Sequence, residues 1–285
     1  MRSLSLRSPA KLNLFLKVVN KRPDGYHNLV TIFERIDLFD DLELTLNPSG
    51  DTRIFCDHPD VPTDSHNLVF KAAQLLKDDF ALQDGVDVVI KKRIPVAAGL
   101  AGGSSNAATA LLGLSRLWKL DLTRRELLAY ARALGSDVPF FIYDCDWAIG
   151  TGRGDRIKPL VLNTKLWHIL VVPSVKMYTK KVFETVNLEL TKTKGDVNIL
   201  TRSLRKSNIS TIGSLLRNDL ESAIIKLAPD LLKLKDHLAT LNTQGVSFSG
   251  SGPALFGLTE NQQQTEEISD ILQKQYSQVF AVRTF

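Results

Sequence analysis

Apolar and polar residues alternate with period two near the start of the chain, which predicts a β-strand. Every even position from 12 to 18 is leucine or valine, and Lys11 and Asn13 occupy the odd positions on either side of Leu12. Side chains alternate between the two faces of a strand, so Lys11 and Asn13 share the face opposite the leucines. The sequence RPDG at 22–25 predicts a turn. Two further strands are predicted at 30–38 and 42–46, joined by an acidic turn at Asp40 and Asp41.

The rest of the chain mixes helical and strand periodicity. Strand patterns occur at 86–90, 167–172, 246–249, 254–258 and 279–282. Helical spacing predicts helices at 63–77, 106–118, 123–135, 179–186, 212–227, 229–242 and 264–275, the third opened by a capping box and closed by Gly135. Hairpins interspersed with helices are typical of an α+β fold with largely antiparallel sheets. The glycine-dense segment 150–155 suggests a boundary between domains at 1–155 and 156–285.

Composition narrows the class of protein without identifying it. The 285 residues are 44% hydrophobic and 24% charged, values that exclude disordered and low-complexity proteins. Two cysteines give no disulfide framework or zinc motif, so a cytoplasmic protein is expected. The net charge of +5 is mild, and we expect no nucleic-acid partner. The uncharged run 94–115 contains glycine, serine and asparagine, which favours a loop and a helix start over a membrane span.

The segment PVAAGLAGGSSNAATAL at 95–111 is the strongest candidate for chemistry. It reads as a strand end, a glycine-rich loop and a helix start. Such a loop exposes backbone N–H groups beside the positive end of a helix dipole, and this combination binds phosphate. Ser104 and Ser105 are candidates to donate to phosphate or to hold Mg²⁺. A plain helix start after a flexible loop is the alternative. Walker, dinucleotide-binding and protein-kinase motifs are all missing from the sequence.

This segment resembles the central motif of the GHMP kinases, a superfamily that includes galactokinase, homoserine kinase and mevalonate kinase. Residues 8–18, SPAKLNLFLKV, are similar to its first motif, and residues 249–258, SGSGPALFGL, to its third. The resemblance implies the two-domain GHMP fold, with an N-terminal ATP-binding domain like ribosomal protein S5 domain 2 and a C-terminal ferredoxin-like α/β sandwich that binds substrate. Many relatives carry glycine at Ala98 and Ala101. Since alanine tolerates positive φ poorly, we expect αR or extended backbone at both positions.

A narrower resemblance follows from RPDGYHNL at 22–29 and GSDVPFF at 135–141. These runs are similar to the branch of the superfamily that uses ATP to phosphorylate the 2-hydroxyl of an acceptor carrying a cytidine diphosphate. That reaction belongs to the non-mevalonate (MEP) pathway of isoprenoid biosynthesis. A homoserine- or mevalonate-type kinase is one alternative, although those acceptors offer no base for Tyr26 and His27 to stack on. A nucleotide-binding protein without catalysis is the other.

The resemblance assigns catalysis to Asp137, as the general base, and to Lys11. A lysine ammonium near a carboxylate lowers the pKa of that carboxylate and stabilises a developing alkoxide. Taken alone, Asp137 suits a helix N-cap and Lys11 a strand surface, and these alternatives stay open. The resemblance places the cytosine between Tyr26 and Phe183 with His27 at its edge, and substrate binding is assigned to Asn13, Tyr26, His27, Thr179 and Phe183.

ATP and Mg²⁺ are the implied cofactors, and the sequence shows no obvious metal ligand. The resemblance assigns ATP binding to Pro95, Val96, Ala97, Ala98, Gly99, Leu100, Ala101, Gly102, Gly103, Ser104, Ser105, Asn106, Asn67 and Lys92. For the last two, a helix-start asparagine and a strand-end lysine are equally good interpretations. The expected partner is a small molecule carrying a cytidine diphosphate, with no membrane association. A monomer or weak homodimer is expected.

Overall fold

The computed structural model describes residues 2–187 and 196–285. The strands are β1 Ser3–Lys21, β2 His27–Asn47, β3 Thr52–Cys56, β4 Gly85–Lys91, β5 Trp147–Thr151, β6 Arg156–Leu160, β7 Trp167–Val171, β8 Arg217–Asn218, β9 Gly245–Phe248, β10 Leu255–Thr259 and β11 Val279–Arg283. The helices are α1 Leu68–Phe80, α2 Gly102–Leu117, α3 Arg124–Leu134, α4 Val138–Ile142, α5 Thr179–Thr185, α6 Val197–Arg205, α7 Ile209–Ser214, α8 Glu221–Leu227, α9 Asp230–Thr240 and α10 Gln262–Leu272. This composition confirms the predicted α+β class.

The chain forms two compact units, each assembled from several segments. Unit 1 contains residues 1–10, 38–96 and 101–144. Unit 2 contains residues 11–37, 97–100 and 145–285. Strands β1 and β2 therefore contribute residues to both units. The division at residue 155 stays a prediction.

Unit 1 combines a small mixed sheet with helices α1 to α4. Strand β4 pairs parallel to β3 and antiparallel to the second half of β2. Helix α2 packs against α1, α3 and α4, and one side of it is lined by alanines and leucines that are almost fully buried. At Gly113, an added Cβ would lie 2.4 Å from a methyl group of Leu44, so the absence of a side chain lets α2 lie close to the sheet.

Strand β2 is longer than predicted. The predicted acidic turn at Asp40 and Asp41 is wrong, because β2 runs without a break from His27 to Asn47. Asp40 is fully buried and lies on the same face as Leu38, Leu42 and Leu44. An acidic side chain on an apolar face needs partners, and Asp40 forms a buried ion pair with Lys92.

Unit 2 contains a four-stranded antiparallel sheet in the order β11–β7–β10–β9. Its hydrophobic core includes Ile169, Val171, Phe248 and Leu255 of this sheet, together with buried residues of α8, α9 and α10. The first half of β2 pairs with β5, which forms an antiparallel pair with β6, and the glycine-dense segment around Gly152 forms the turn between them. Strand β1 pairs parallel to the short β8.

Several predicted elements are confirmed with shifted ends, and one is wrong. The helix predicted over 212–227 is in fact α7, the short strand β8 and α8. The predicted capping box of α3 is present, and the hairpin at 246–258 is confirmed. Strands β3, β5 and β6 and helix α6 were not predicted. Among the helices within 2–187 and 196–285, none combines the length and the apolar character that crossing a membrane requires.

Candidate active site

Lys11 is held by a chain of buried hydrogen bonds in unit 2. Its Nζ donates to Asn13 Oδ1, Asn13 Nδ2 donates to Thr31 Oγ1 at 2.8 Å, and Thr31 Oγ1 donates to the Phe15 carbonyl at 2.6 Å. Lys11 and Asn13 are 3% and 2% exposed, so the surface interpretation of Lys11 is wrong. The shared face predicted from period two is confirmed. A buried ammonium fixed in this way is a defined positive charge.

Three sequence motifs converge in unit 2 around the glycine-rich loop. Each carbonyl from 98 to 100 accepts a hydrogen bond from the first or third motif: Ala98 O from Ala254 N at 3.2 Å, Gly99 O from Ser249 Oγ at 3.0 Å, and Leu100 O from Lys11 N at 3.2 Å. The loop is thereby attached to both motifs through its backbone. In a trans peptide the N–H points away from the C=O. The N–H groups of Gly99, Leu100 and Ala101 therefore face the opposite side of the loop.

The backbone of the loop alternates between left-handed and ordinary conformations. Ala97, Gly99 and Ala101 have φ of 55°, 80° and 56°, whereas the residues between them do not have positive φ. The expectation for Ala101 is therefore wrong, while Ala98 keeps the predicted sign of φ. Alternating conformations of this kind turn successive N–H groups toward one point and create an anion-binding concavity. Left-handed alanine costs about 1–2 kcal/mol per residue, and the carbonyl contacts described above oppose that strain.

Helix α2 begins directly after this loop, as the sequence pattern predicted, but four residues earlier than the predicted start at 106. The first N–H groups of a helix have no partner within it, so they are available to a ligand. A Cβ added at Gly103 would meet nothing within 4 Å, which leaves open space beside the first turn. At Gly102, an added Cβ would lie 3.1 Å from Lys92 Nζ. The first turn of α2 therefore has the features of a helix N-terminus that can bind an anion.

The two serines at the start of α2 differ in availability. Ser105 is fully buried and its Oγ accepts from Ser8 Oγ at 2.7 Å. Asn106 is also buried, and its Nδ2 donates to Ser8 Oγ and to Asp40 Oδ2, both at 2.9 Å. Ser104 is partly exposed. Two hydroxyls were suggested for phosphate or Mg²⁺. The Ser105 hydroxyl is already bonded to Ser8, so Ser104 is the better candidate.

Lys92 and Asn67 are engaged by neighbours in unit 1. The Lys92 ammonium forms a buried ion pair with Asp40, so it is not a simple strand-end lysine. Asn67 is the N-cap of α1: its Oδ1 accepts from Val69 N at 2.8 Å and its Nδ2 donates to the Pro62 carbonyl at 2.6 Å. The capping interpretation of Asn67 is confirmed. The importance of Asp40 was missed, although the apolar face of β2 contained the signal.

Asp137 occupies the N-cap position of α4, directly before Val138 and Pro139 at the start of that helix. Its side chain does not accept the capping hydrogen bond within the described chain, and its backbone is αR, whereas an N-cap usually has extended backbone. Asp137 as a residue is partly exposed. The position is therefore that of an N-cap, but the capping function is absent.

The residues suggested for cytosine binding include a preformed aromatic pair. The rings of His27 and Phe183 stack with centroids 5.3 Å apart and an interplanar angle of 26°. Tyr26 is 53% exposed, and the guanidinium carbon of Arg153 lies 5.0 Å from the centre of its ring. Burial lowers the pKa of His27, and repulsion from the Lys21 ammonium lowers it further. His27 is therefore neutral at pH 7, with one donor and one acceptor nitrogen.

The third motif forms a tight turn between β9 and β10. Gly250 and Gly252 have φ of 54° and 69°. An added Cβ at Gly250 would lie 3.2 Å from both Lys11 Nζ and Asn13 Oδ1, so this turn packs closely on the first motif. The Thr179 hydroxyl is 2.9 Å from the hydroxyl of Ser251. Thr179 thus lies beside the third motif.

Metal ligands are not evident from the protein alone. Among the described residues, no group of three or more His, Cys, Asp or Glu side chains is arranged to hold a metal ion. Mg²⁺ in nucleotide sites is commonly held by one or two protein oxygens and by the phosphates. Ser104, a partly exposed residue in the first turn of α2, carries an oxygen of this kind.

Comparisons with known proteins agree with the motifs. The family description "GHMP kinases N terminal domain" matches residues 67–145, and "GHMP kinases C terminal" matches residues 200–278. A protein of Exiguobacterium sibiricum named 4-diphosphocytidyl-2-C-methyl-D-erythritol kinase is 39% identical over 281 residues, covering 99% of this chain and 98% of that protein. A Geobacillus kaustophilus protein of the same name is 41% identical, covering 98% of this chain and 96% of that protein.

A solved structure extends this similarity to the whole fold. The crystal structure of a 4-(cytidine 5'-diphospho)-2C-methyl-D-erythritol kinase matches with a TM-score of 0.82 and 32% identity, covering 98% of each chain. The match confirms the predicted two-domain GHMP kinase fold. Together, the family descriptions, the full-length relatives and this structure show that the chain belongs to the 4-diphosphocytidyl-2-C-methyl-D-erythritol kinases of the GHMP kinase superfamily.

Proposed function

We propose that this chain transfers the γ-phosphoryl group of ATP to the 2-hydroxyl of 4-diphosphocytidyl-2-C-methyl-D-erythritol, giving the 2-phosphate and ADP. The observation that carries the proposal is the attachment of the 98–100 carbonyls to Lys11, Ser249 and Ala254. Residues far apart in sequence bind the carbonyl side of a short loop and leave its N–H side unoccupied by these contacts. The N–H side of the loop is therefore suited to bind an anion such as a phosphate. This agrees with the family of the chain, which consists of kinases.

ATP binds along residues 95–106 in this proposal. Its phosphates accept hydrogen bonds from the loop N–H groups and from the first turn of α2, where Gly103 leaves room for close approach. Asn67 shapes the adenine side through the N-terminus of α1. Lys92 contributes positive charge near Gly102 while paired with Asp40. When bound, Mg²⁺ neutralises phosphate charge, with the Ser104 hydroxyl as an available protein oxygen.

Asp137 and Lys11 supply the chemistry on the acceptor. Asp137 accepts the proton of the 2-hydroxyl as that oxygen attacks the γ-phosphorus. The Lys11 ammonium stabilises the negative charge that develops on the oxygen and on the transferred group. Asn13 keeps the ammonium in place through its Oδ1. Phosphoryl transfer depends mainly on positioning and charge neutralisation, so a fixed lysine suits it.

Recognition of the acceptor depends on its cytosine. The stacked rings of His27 and Phe183 present an ordered aromatic surface, and Tyr26 offers an exposed ring. Stacking of a base on an aromatic ring contributes about 1–3 kcal/mol. A neutral His27 provides one donor and one acceptor for the edge of the base. Thr179 is the remaining candidate, and its neighbour Ser251 fixes its hydroxyl.

The proposal is tested by measuring ADP release with ATP, Mg²⁺ and the cytidyl acceptor, with mevalonate and homoserine as parallel acceptors. We expect turnover with the cytidyl acceptor alone. The substitution Asp137→Asn removes the proton acceptor, and a general base is worth about 10²–10⁴ in rate, so kcat should fall by at least about 10². Asp84→Asn, at an exposed aspartate, is the matched control and should leave kcat unchanged.

Each other outcome has a defined meaning. Turnover with mevalonate or homoserine instead of the cytidyl acceptor would contradict the proposed substrate. ATP binding without ADP release on any acceptor would favour a non-catalytic nucleotide-binding protein. Full activity of the Asp137→Asn protein would remove Asp137 as the general base and leave the substrate assignment intact.

A further inference from the structure

Asp40 is a buried carboxylate in unit 1 that is bonded to residues on both sides of the glycine-rich loop. It is fully buried in β2 and accepts four hydrogen bonds. Arg93 N and Ile94 N donate to Oδ1 at 2.8 and 2.9 Å, Asn106 Nδ2 donates to Oδ2 at 2.9 Å, and the Lys92 ammonium forms the ion pair. Burying a charge is costly unless it is paired and fully hydrogen-bonded, and Asp40 meets both conditions.

The donors to Asp40 lie on both sides of the glycine-rich loop. Residues 92–94 precede the loop, and Asn106 follows it in the first turns of α2. One carboxylate therefore joins the two ends of the segment 95–105. Ser8 extends the connection, since its Oγ accepts from Asn106 Nδ2 and donates to Ser105 Oγ. The span of the loop is thus fixed at its base by side chains outside it.

Asp40 also determines where the charge of Lys92 lies. An added Cβ at Gly102 would be 3.1 Å from Lys92 Nζ, so the ammonium sits against the first residue of α2. Both side chains of the pair are almost completely buried. Without Asp40, the buried Lys92 ammonium would lose this counter-ion, and with it the ion pair that holds it beside Gly102 at the start of α2.

We propose that Asp40 is a positioning residue for the nucleotide: it fixes both ends of the segment 95–105, which contains the glycine-rich loop and the first turn of α2. It also holds the Lys92 ammonium beside Gly102, so that this segment is preorganised for the phosphates of ATP. This inference rests on the proposed function and deepens it. Asp40 itself contacts no phosphate in this account. It acts through Lys92, Ile94 and Asn106, and its effect falls on nucleotide affinity.

Asp40→Asn tests the inference with little change in shape. The amide keeps one acceptor oxygen but loses the charge and presents a donor to Asn106 or Lys92. Loss of a charge-assisted hydrogen bond corresponds to about a tenfold or larger change in an equilibrium constant. We expect the KM for ATP and the Kd for a non-hydrolysable ATP analogue to rise about tenfold or more, with the KM for the acceptor within about twofold of wild type.

Asp41→Asn is the matched control on the next residue of the same strand. Asp41 pairs with the exposed guanidinium of Arg93, and exposed pairs contribute little. The control should leave both KM values unchanged. Circular dichroism and thermal unfolding of each variant establish that the proteins compared are folded.

Ser8→Ala keeps the inference testable if Asp40→Asn does not fold. It removes the link between Asn106 and Ser105 while leaving Asp40 intact, and we expect a smaller, roughly twofold to fivefold, rise in the Kd for the ATP analogue. Equal changes in the KM for ATP and for the acceptor, or a lower kcat with both KM values unchanged, would show a merely structural role and overturn the inference.

The inference and the proposed function fail separately. If the wild-type protein binds the ATP analogue but does not phosphorylate the cytidyl acceptor, the proposed substrate fails, and the analogue titrations still decide the role of Asp40. If the wild-type protein does not bind the analogue, both fail together.

Discussion

Gly99 and Gly103 lie in the same glycine-rich segment, but the structure excludes a side chain only at Gly99. At Gly99, φ is 80° and an added Cβ would lie 2.1 Å from the Ser249 carbonyl oxygen. At Gly103, nothing lies within 4 Å of an added Cβ and φ is not positive. The fold therefore requires glycine at 99 but not at 103. If Gly103 is glycine for a functional reason, the open space should belong to the ligand.

The substitution Gly103→Ala separates stability from function at this residue. Alanine is favoured over glycine in a helix by up to about 1 kcal/mol, so thermal unfolding should occur at the same or a slightly higher temperature. The added methyl group fills the space assigned to the phosphates, so the KM for ATP should rise several-fold. An unchanged KM for ATP in a stable variant would mean that the phosphates do not approach Gly103.

Gly99→Ala is the contrasting control. Positive φ and the close Ser249 carbonyl both oppose a Cβ at this position, and the left-handed backbone alone costs about 1–2 kcal/mol. Thermal unfolding should shift to a clearly lower temperature, together with any loss of activity. The pair of variants therefore distinguishes a glycine needed for folding from one needed for binding.

At the scale of elements, the turn between β1 and β2 places Lys21 near His27 and adds to the effect of burial on the pKa of His27. Lys21 ends β1 and His27 begins β2, and the turn is closed by Arg22 N donating to the Tyr26 carbonyl at 2.8 Å. Burial and the Lys21 charge lower the pKa of His27 below its ordinary value of 6.5. The unfolded chain then binds this proton more readily than the folded one. This contribution to stability is fully present above about pH 6.5 and is lost as the pH falls through the folded pKa.

Lys21→Ala tests the electrostatic part of this effect. Removing the ammonium should raise the pKa of His27 but leave it below 6.5, because burial remains the larger cause. NMR titration of the His27 imidazole measures the midpoint directly, and thermal unfolding between pH 5 and 8 should show a weaker acid destabilisation in the variant. Lys91→Ala, at an exposed lysine of β4, is the control with an equal charge change. An unchanged His27 midpoint in Lys21→Ala would contradict the role of Lys21.

How much of each element the sequence predicts depends on whether the pattern is local. The capping box of α3 and the alternation in β1 involve neighbouring residues, and both predictions are confirmed. The turn predicted at Asp40 is wrong because aspartate usually marks a solvent-exposed turn, whereas here Lys92 and Asn106 make its burial possible. The sequence analysis therefore divided one continuous strand into two, because the partners that allow Asp40 to be buried come from distant segments.

The same reasoning applies to the site. The shared face of Lys11 and Asn13 was predicted from the period of two and is confirmed, whereas the binding and catalytic functions assigned to these residues and to the glycine-rich loop stay predictions. The left-handed conformation of Ala101 could not be predicted, because it depends on hydrogen bonds from β1 and the third motif to the carbonyls of the loop. Local propensity was overruled by contacts between segments far apart in sequence.

At the scale of the whole molecule, unit 2 contains a buried polar cluster that joins distant parts of the chain. Glu34 Oε2 lies 2.8 Å from His168 Nε2, and Glu34 Oε1 accepts from Thr284 Oγ1 at 2.6 Å across 250 positions of sequence. All three residues are at most 1% exposed. Thr284 Oγ1 also accepts from Leu166 N at 2.8 Å. The cluster therefore ties β2 and β7 to the segment after β11.

Replacing Glu34 by alanine should destabilise the protein far more than replacing an exposed glutamate of the same strand. Removing the Glu34 carboxylate leaves the buried partner atoms on His168 and Thr284 without their hydrogen bonds, at a cost of about 1–3 kcal/mol for each unsatisfied group, and His168 Nδ1 already has no hydrogen-bond partner within the described chain. We expect Glu34→Ala to lower the free energy of unfolding by about 3 kcal/mol in urea denaturation. Glu43→Ala, at an exposed position of the same strand, should change it by less than about 0.5 kcal/mol. Equal effects of the two substitutions would show that the cluster adds nothing beyond the strand itself.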